Sequence, residues 1–301
     1  MVVKRERRSE SVKDLQLGLD TELVAATQHG VLYPHVAKIP QERVDTTGLF
    51  DWHGDGYAWE LCVAPSRTPS GIMVNVASGL FDLHRSWATT RLVGPSLYAV
   101  PARVVREAPR EVKKLGCMPS LNLYAKPAIP KGLPGGQRTT GCHIHMSSPE
   151  INKSNYRQMI AWSDVLIGSV WSHVSPESQL DERTRRKYYG KAGEYRVRFY
   201  DEDMLLFGVE YRTLPGTVLH HPAYLSLMLY LATEVAQRAR YGGPIESLQQ
   251  EAARSIDRAD RRGLVLPLLD LDQDMMEEIE RVRNLKYRTV DLASWKQYLP
   301  A

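Results

Sequence analysis

Residues 15–25 read LQLGLDTELVA, and the alternation in this stretch decides the architecture. Leu15, Leu17, Leu19 and Leu23 fall on one side of an extended chain, while Gln16, Gly18, Asp20 and Glu22 fall on the other. Two further stretches repeat the pattern. In TGCHIHMS, residues 140–147, Cys142, Ile144 and Met146 alternate with His143 and His145, and FGVEYRTLPG, residues 207–216, places Glu210 and Arg212 two apart. Successive strand side chains point to opposite faces, so each pair shares a face. The spacing therefore predicts a sheet with one apolar face turned to a core and one face carrying carboxylates, imidazoles and guanidiniums.

Working outward, DWHGDGYAWELCVAPS, residues 51–66, turns at Gly54 to Gly56 and then sets Glu60 opposite in face to Trp59, Leu61 and Val63. Residues 71–92 show helical spacing through Val74, Ala77, Leu80, Phe81 and His84, and a strand is expected near Leu97 to Val105. The Pro- and Gly-rich stretch PAIPKGLPGGQRTT, residues 127–140, reads as a loop that delivers the chain into the histidine strand. Residues 154–174 read as a buried helix through Met159, Trp162, Leu166, Val170 and Val174. A basic polar loop follows, then YYGKAGEYRVRFYD, in which Glu194, Arg196 and Arg198 alternate with Tyr195, Val197 and Phe199. A strongly apolar helix is expected from Pro222 to Arg240, with a helical, increasingly charged remainder. The domain reading is a mobile basic tail over 1–13, one body over 14–240 and a helical C-terminal extension over 241–301 packed on that body. The fold class is α+β.

The chain has 301 residues, is 43% hydrophobic and 25% charged, and carries a formal charge of +4. No apolar run approaches the roughly 20 residues that span a bilayer, and the basic N-terminus lacks the apolar core of a signal peptide. A cytoplasmic protein with no membrane partner is expected. Three cysteines, Cys62, Cys117 and Cys142, without CxxC spacing fit reduced thiols. The basic runs Lys4 to Arg8 and Arg183, Arg185, Arg186 and Lys187 read as solvated faces rather than nucleic-acid sites.

The polar faces together hold Asp20, Glu22, Glu60, Glu194 and Glu210, the imidazoles of His143 and His145, and the guanidiniums of Arg138, Arg196 and Arg212. Converging carboxylates repel one another unless cations sit among them, and Mg²⁺ or Mn²⁺ is the usual partner of such hard oxygen ligands. Arginines beside that metal suit phosphate oxygens, and ATP bridges the two sets. Taken singly, each pair has a plainer reading. DxE is often an exposed polar face, and Glu210 with Arg212, or Glu194 with Arg196, makes a same-face ion pair. His220 and His221 read as helix-start residues, His173 as a helix-surface or core histidine, and Met275 and Met276 as core. Agreement in face, order and chemistry is what favours the functional reading.

TGCHIHMS, YYGKAGEYRVRFY and VEYRTLPG, in that order behind an early acidic DxE, resemble the phage-type carboxylate-amine ligases (amidoligases) of the glutamine synthetase and glutamate-cysteine ligase superfamily. The resemblance runs from about Leu15 to Leu229. It implies a curved, mainly antiparallel sheet backed by helices, like the glutamine synthetase catalytic domain, with residues 14–240 as the catalytic domain, and an ATP-dependent enzyme that forms an amide or isopeptide bond through an acyl phosphate. It also implies Asp20, Glu22, Glu60, His143 and Glu210 as metal ligands, with His145 beside them. Arg138, Lys191, Arg196 and Arg212 would handle phosphates, and Glu194 is the candidate base for the amine. Two departures stand out. Thr21 replaces the proline usual between the two acids, and Cys117, Met118, Pro119, Ser120 and then Asn122 stand where the family carries Cys-Asp-Pro-Asp and Asn, which points to an altered acceptor.

The implied partners are small-molecule or peptide carboxylates and amines, with a modified nucleobase acceptor left open, as is a homo-oligomer. The implied setting is the cytoplasm of a phage-infected bacterium. A ligand role also implies that Glu210→Ala loses MgATP without loss of fold, and that Arg212→Lys costs activity more than stability. Two other classes stay open. One is a zinc hydrolase built on His143, His145 and a carboxylate. The other is a non-catalytic module that keeps the fold to bind nucleotide or a partner.

Overall fold

Gln16–Thr27 forms the long strand β1 on which the rest of the sheet is assembled. In the computed structural model, residues 12, 14–27, 30–32, 42–44, 47–86, 91–113, 120–125, 136–199 and 207–300 are described. The remaining strands are β2 (Gly30–Leu32), β3 (Glu42–Val44), β4 (Phe50–Asp55), β5 (Ala58–Ser66), β6 (Arg91–Val93), β7 (Tyr98–Ala99), β8 (Leu121–Asn122), β9 (Gln137–Arg138), β10 (Cys142–Ser147), β11 (Glu194–Phe199) and β12 (Phe207–Leu214). Ten of the strands form one antiparallel sheet in the order β3-β4-β5-β1-β10-β12-β11-β8, with β2 and β6 joined to the far half of β1. β7 and β9 make a separate two-stranded ribbon.

The alternation explains the sheet's two faces. Leu17, Leu19 and Leu23 of β1, Leu61 of β5, Ile144 and Met146 of β10 and Val209 and Tyr211 of β12 are buried in one apolar cluster. Against them pack α1 (Pro69–Ser86), α4 (Tyr156–Ser163) and α7 (Pro222–Ala239). Between α4 and α5 (Ser169–Val174) the chain takes a π-helical turn over Asp164–Gly168, so the expected helix over 154–174 is continuous but widened in its middle. In that turn the buried Asp164 carboxylate accepts bonds from Tyr211, at 2.8 Å, and Tyr124, at 2.6 Å, which links the helix layer to the sheet. Leu248 and Ile279, from α8 (Glu246–Arg258) and α9 (Gln273–Arg283), and Trp295 in α10 (Leu292–Trp295) enter the same cluster, and so does Val12.

Several local expectations change. The helix expected over 71–92 ends at Ser86, and residues 91–93 become β6. The strand expected near Leu97 to Val105 shrinks to Tyr98–Ala99, after which Ala102–Glu107 is the helix α2, and α3 (Arg110–Lys113) follows. The basic loop after residue 174 contains the helix α6 (Gln179–Arg186), capped by Ser178, whose side chain accepts from the Asp181 N–H. Its Arg185 and Arg186 are buried, not solvated. Arg185 donates to the carbonyls of Thr140, Thr213 and Leu214 at 3.2, 2.7 and 2.7 Å, so a guanidinium fork satisfies backbone oxygens at the irregular end of the β10–β12 pairing.

Among the smaller expectations, His221 does start α7, accepting from the Ala223 N–H. His220 is instead buried and accepts from the Gly94 N–H. His173 is a buried histidine held by the Arg261 carbonyl and Glu280, and Met275 and Met276 pack partly buried against the core. Among the described residues no helix is long and apolar enough to cross a membrane. The Lys4–Arg8 run, Cys117, Met118 and most of the Pro- and Gly-rich stretch lie outside the described residues.

Candidate active site

Cross-strand register turns the spaced pairs into rows. Asp51, Cys62, Asp20 and His143 lie side by side across β4, β5, β1 and β10. His53, Glu60 and Glu22 form the row on one side. Gly18, His145, Glu210 and Arg196 form the row on the other. Register shifts between Leu17 and Leu19 and between Cys142 and Ile144 interrupt the ladders beside these rows, the kind of irregularity that bends a strand and re-aims side chains. In strand order the face therefore runs from acidic residues, through two imidazoles, to arginines.

The acidic half is crowded. Glu22 and Glu60 are directly opposite one another, and like charges in that position destabilise a sheet. Burial, then the charges of Asp55 and Glu60, push the Glu22 carboxyl well above its usual range. Burial, then Asp20 and Asp55, push Glu60 up to about 8. A 3.0 Å bond from the Gly141 N–H and then the charge of Arg212 favour the charged form of Glu22. One ligand atom from each of Asp20, Glu60 and Cys62 lies within 4.8 Å of the others. The carboxylates of Asp20 and Glu60, with Glu22 beside them, fit a hard divalent cation, which would draw off the protons that burial and neighbouring carboxylates favour on Glu22 and Glu60 and would neutralise the cluster; Cys62 adds a thiol at its edge.

The other half centres on Glu210, which is fully buried. Arg212 donates to its Oε1, Arg198 donates to its Oε2 at 2.7 Å, and an Arg196 nitrogen lies 3.9 Å from Oε1. Burial alone would raise the Glu210 pKa, but Arg212, His145 and Arg198 hold it below the ordinary carboxylate range. Three guanidiniums around one carboxylate leave an excess of positive charge, and their planar donor forks match phosphate oxygens.

The imidazoles join the halves. His145 Nε2 lies 2.9 Å from Asp20 Oδ2; burial pushes the Asp20 pKa up, but His145, Cys62 and Arg198 together hold it below its usual value. His143 is buried, and burial followed by Arg212 and His145 depresses its pKa well below the histidine range, so it is neutral. Arg212 Nη2 donates to the Tyr189 hydroxyl at 2.6 Å, and that hydroxyl is hydrogen-bonded to His143 Nε2, also at 2.6 Å. His143 Nδ1 lies 3.4 Å from Glu210 Oε1, which favours the tautomer with the proton on Nδ1 and the Tyr189 hydroxyl donating to Nε2. A metal on His143 has to displace Tyr189 or Glu210. Close packing here depends on Gly141, where a Cβ would meet His143 Nε2 at 2.7 Å.

Asp20, Glu22, Glu60, His143, His145, Glu210, Arg196 and Arg212 thus share one face. Glu194 stands at the start of β11 and accepts from the Gly190 N–H at 2.9 Å; burial raises its pKa, with that bond and Arg185 opposing. Arg138 lies apart on the β7–β9 ribbon, where its guanidinium stacks 4.9 Å from the centroid of Tyr57 in the β4–β5 turn, beside the acidic half. Lys191 offers its carbonyl to Thr213 Oγ1, and its ammonium makes no hydrogen bond or ion pair among the described residues. Asn122 accepts from the Tyr124 and Ala125 N–H groups, closing the turn after β8.

Sequence reasoning passed over Tyr189, Cys62 and Arg198 as site residues. Arg198 and Cys62 were visible in the period-two pattern of their strands. Tyr189 precedes its strand and carried no periodic signal.

The chain matches no protein-family model and no curated protein. Among solved structures it is similar to a bifunctional glutathione synthetase from Pasteurella multocida, at 11% identity and a TM-score of 0.42, covering 90% of this chain and 47% of that one. The chain thus spans about half the length of that protein.

Proposed function

We propose that this chain is an ATP-dependent carboxylate-amine ligase of the glutamine synthetase-like type, acting through an acyl phosphate. The observation that carries the reading is the order of charge across one sheet face, from the Asp20, Glu22 and Glu60 carboxylates to the Arg196, Arg198 and Arg212 guanidiniums around Glu210. Asp20, Glu22 and Glu60 would hold Mg²⁺ or Mn²⁺, which would supply positive charge toward the β- and γ-phosphates of ATP.

Arg196, Arg198 and Arg212 grip the transferred phosphoryl group and stabilise the charge that spreads over its oxygens. A substrate carboxylate oxygen attacks the γ-phosphorus, the bond to the ADP oxygen breaks, and an acyl phosphate forms. An amine then attacks the acyl carbon, phosphate leaves, and a base takes the amine proton. Glu194, with its raised pKa, is the candidate base. Lys191, close to Glu194 in the chain, would steady the departing phosphate. Arg138, on the acidic side, would act on a different part of the nucleotide from the arginines of β11 and β12. The partners are a small-molecule or peptide carboxylate and an amine. Residues 14–240 would carry the chemistry, with 241–301 packed on them as an extension.

A zinc hydrolase on the HxH pair is less well supported. His143 and His145 are turned to different partners, Tyr189 with Glu210 and Asp20.

Calorimetric titration of ATP into the purified protein, with and without Mg²⁺ and with Glu60→Gln as control, tests the reading. Magnesium-dependent binding that weakens at least tenfold in the variant is expected, followed by ADP release only when an acid and an amine are both present. Absence of magnesium-dependent ATP binding would overturn the proposal.

A further inference from the structure

Away from the sheet face, a cavity of about 630 Å³ is lined by Arg183 of α6, Arg258 at the end of α8, Arg261 and Arg262 in the turn that follows, and Arg283 at the end of α9. Among the described residues the only acid in its lining is Asp260, already paired with Arg262 at 2.5 Å. Arg183, Arg258 and Arg261 make no ion pair among the described residues, and Arg261 Nη2 is buried without a hydrogen-bond acceptor. Like charges gathered this closely oppose folding, and a buried guanidinium nitrogen without a partner adds to the cost. Such an arrangement becomes favourable when an anion enters.

The cradle is also rigid before any ligand arrives. Ala259 caps α8 in the left-handed conformation, its carbonyl accepts from Gln179 Nε2 at 2.9 Å, and the Arg262 N–H donates to Asp260 at 3.0 Å. His173 ties the turn to α9, bonding the Arg261 carbonyl at 2.8 Å and Glu280 at 3.1 Å, and Glu280 in turn holds Arg283. Nearby, burial and then Arg261 and Arg283 keep Lys286 below the usual lysine range, which reports the positive potential. A turn fixed in this way spares a ligand the cost of ordering the backbone, while the Arg183 and Arg258 side chains are exposed to solvent. Among the described residues no aromatic ring lines the cavity to stack on a base.

We infer that this cavity is a second ligand site, for a small anion carrying several phosphate groups and recognised by its charge. Guanidinium forks are matched to phosphate oxygens, and several of them converging select a ligand with more than one phosphate over a single phosphate ion. The site shares no residue with the sheet face and does not rest on the ligase reading.

The test is calorimetry of the full chain with tripolyphosphate at 150 mM salt, with inorganic phosphate and ATP as further arms. The parent is compared with Arg183→Gln/Arg258→Gln and with Arg196→Gln on the sheet face. Saturable tripolyphosphate binding that weakens at least tenfold in the double variant and persists in Arg196→Gln is expected, with inorganic phosphate much weaker. In magnesium-free buffer, equal loss for ATP and tripolyphosphate in the double variant identifies the phosphates as what is read. In unfolding scans without anion the double variant should melt at or above the parent temperature, and the rise produced by tripolyphosphate should vanish. Binding that is absent in the parent, or indifferent to the double variant, overturns the inference. Its failure leaves MgATP binding at the sheet face untouched, so the two readings fail separately.

Discussion

Glu22 and Glu60 stand directly opposite one another on β1 and β5, two carboxylates placed where a sheet ordinarily avoids like charges. Both have pKa values raised by burial first and by neighbouring carboxylates second, Glu60 to about 8. A group whose pKa is raised on folding contributes stability that is present below its unfolded value and lost as pH rises through the folded one. For Glu60 that window runs from the ordinary 4.5 to about 8. The metal-free protein should therefore melt at progressively lower temperature across this range. Glu60→Gln should flatten the fall, and so should Mn²⁺ or Mg²⁺ added to the parent. Unfolding scans from pH 5 to 8.5 check this; identical slopes in parent and variant would count against the cluster.

Glu210→Ala is expected to lose the fold's stability along with any ligand binding. The carboxylate is fully buried, receives Arg212 and Arg198, and faces His143, so its removal leaves buried positive charge without a partner. Breaking such a pair costs about 3–5 kcal/mol. This corrects the expectation from sequence that a ligand carboxylate on a polar face could be removed without harm. Denaturant unfolding should show a large drop for Glu210→Ala and little for Glu60→Gln.

Arg212→Lys is likewise a stability variant. Arg212 is fully buried and spans Glu210 and the Tyr189 hydroxyl, two contacts that one ammonium cannot reproduce. A loss of about 1.5–3 kcal/mol is expected for a charged hydrogen bond. Chemical denaturation of the purified variant measures it, and an unchanged midpoint would show that the network is dispensable.

Tyr189→Phe removes the hydroxyl that connects Arg212 to His143. About 1–3 kcal/mol should go, because a buried ring nitrogen and a guanidinium each lose a partner. Released from Tyr189, His143 Nε2 becomes available to a metal, so Zn²⁺ affinity measured by competition with a chromogenic chelator should rise in the variant.

Gly190→Ala tests the clamp under the site. Gly190 has φ +72°, and a Cβ there would collide with the Arg185 guanidinium that holds the carbonyls of Thr213 and Leu214. The left-handed conformation costs an alanine about 1–2 kcal/mol, and the collision adds about 1–3 kcal/mol. Equilibrium unfolding should register the sum, and a stability within 0.5 kcal/mol of the parent, on the order of a neutral surface change, would refute the clamp.

By itself the sequence determined which side chains share a face. The side-chain period of a strand is two, and Asp20 with Glu22, His143 with His145 and Glu210 with Arg212 needed no knowledge of the rest of the chain. It also determined the helix layer, since apolar spacing through residues 154–174 and 222–240 is equally local. Neighbours across strands were beyond it. Only strand order and register set Glu60 against Glu22, brought His145 beside both Asp20 and Glu210, and ranked the face from acid to arginine. Arg185 and Arg186 show the limit most plainly, because a run of charge looks solvated until tertiary structure brings buried carbonyls within reach of it. Burial depends on what distant segments present, and no local period encodes that.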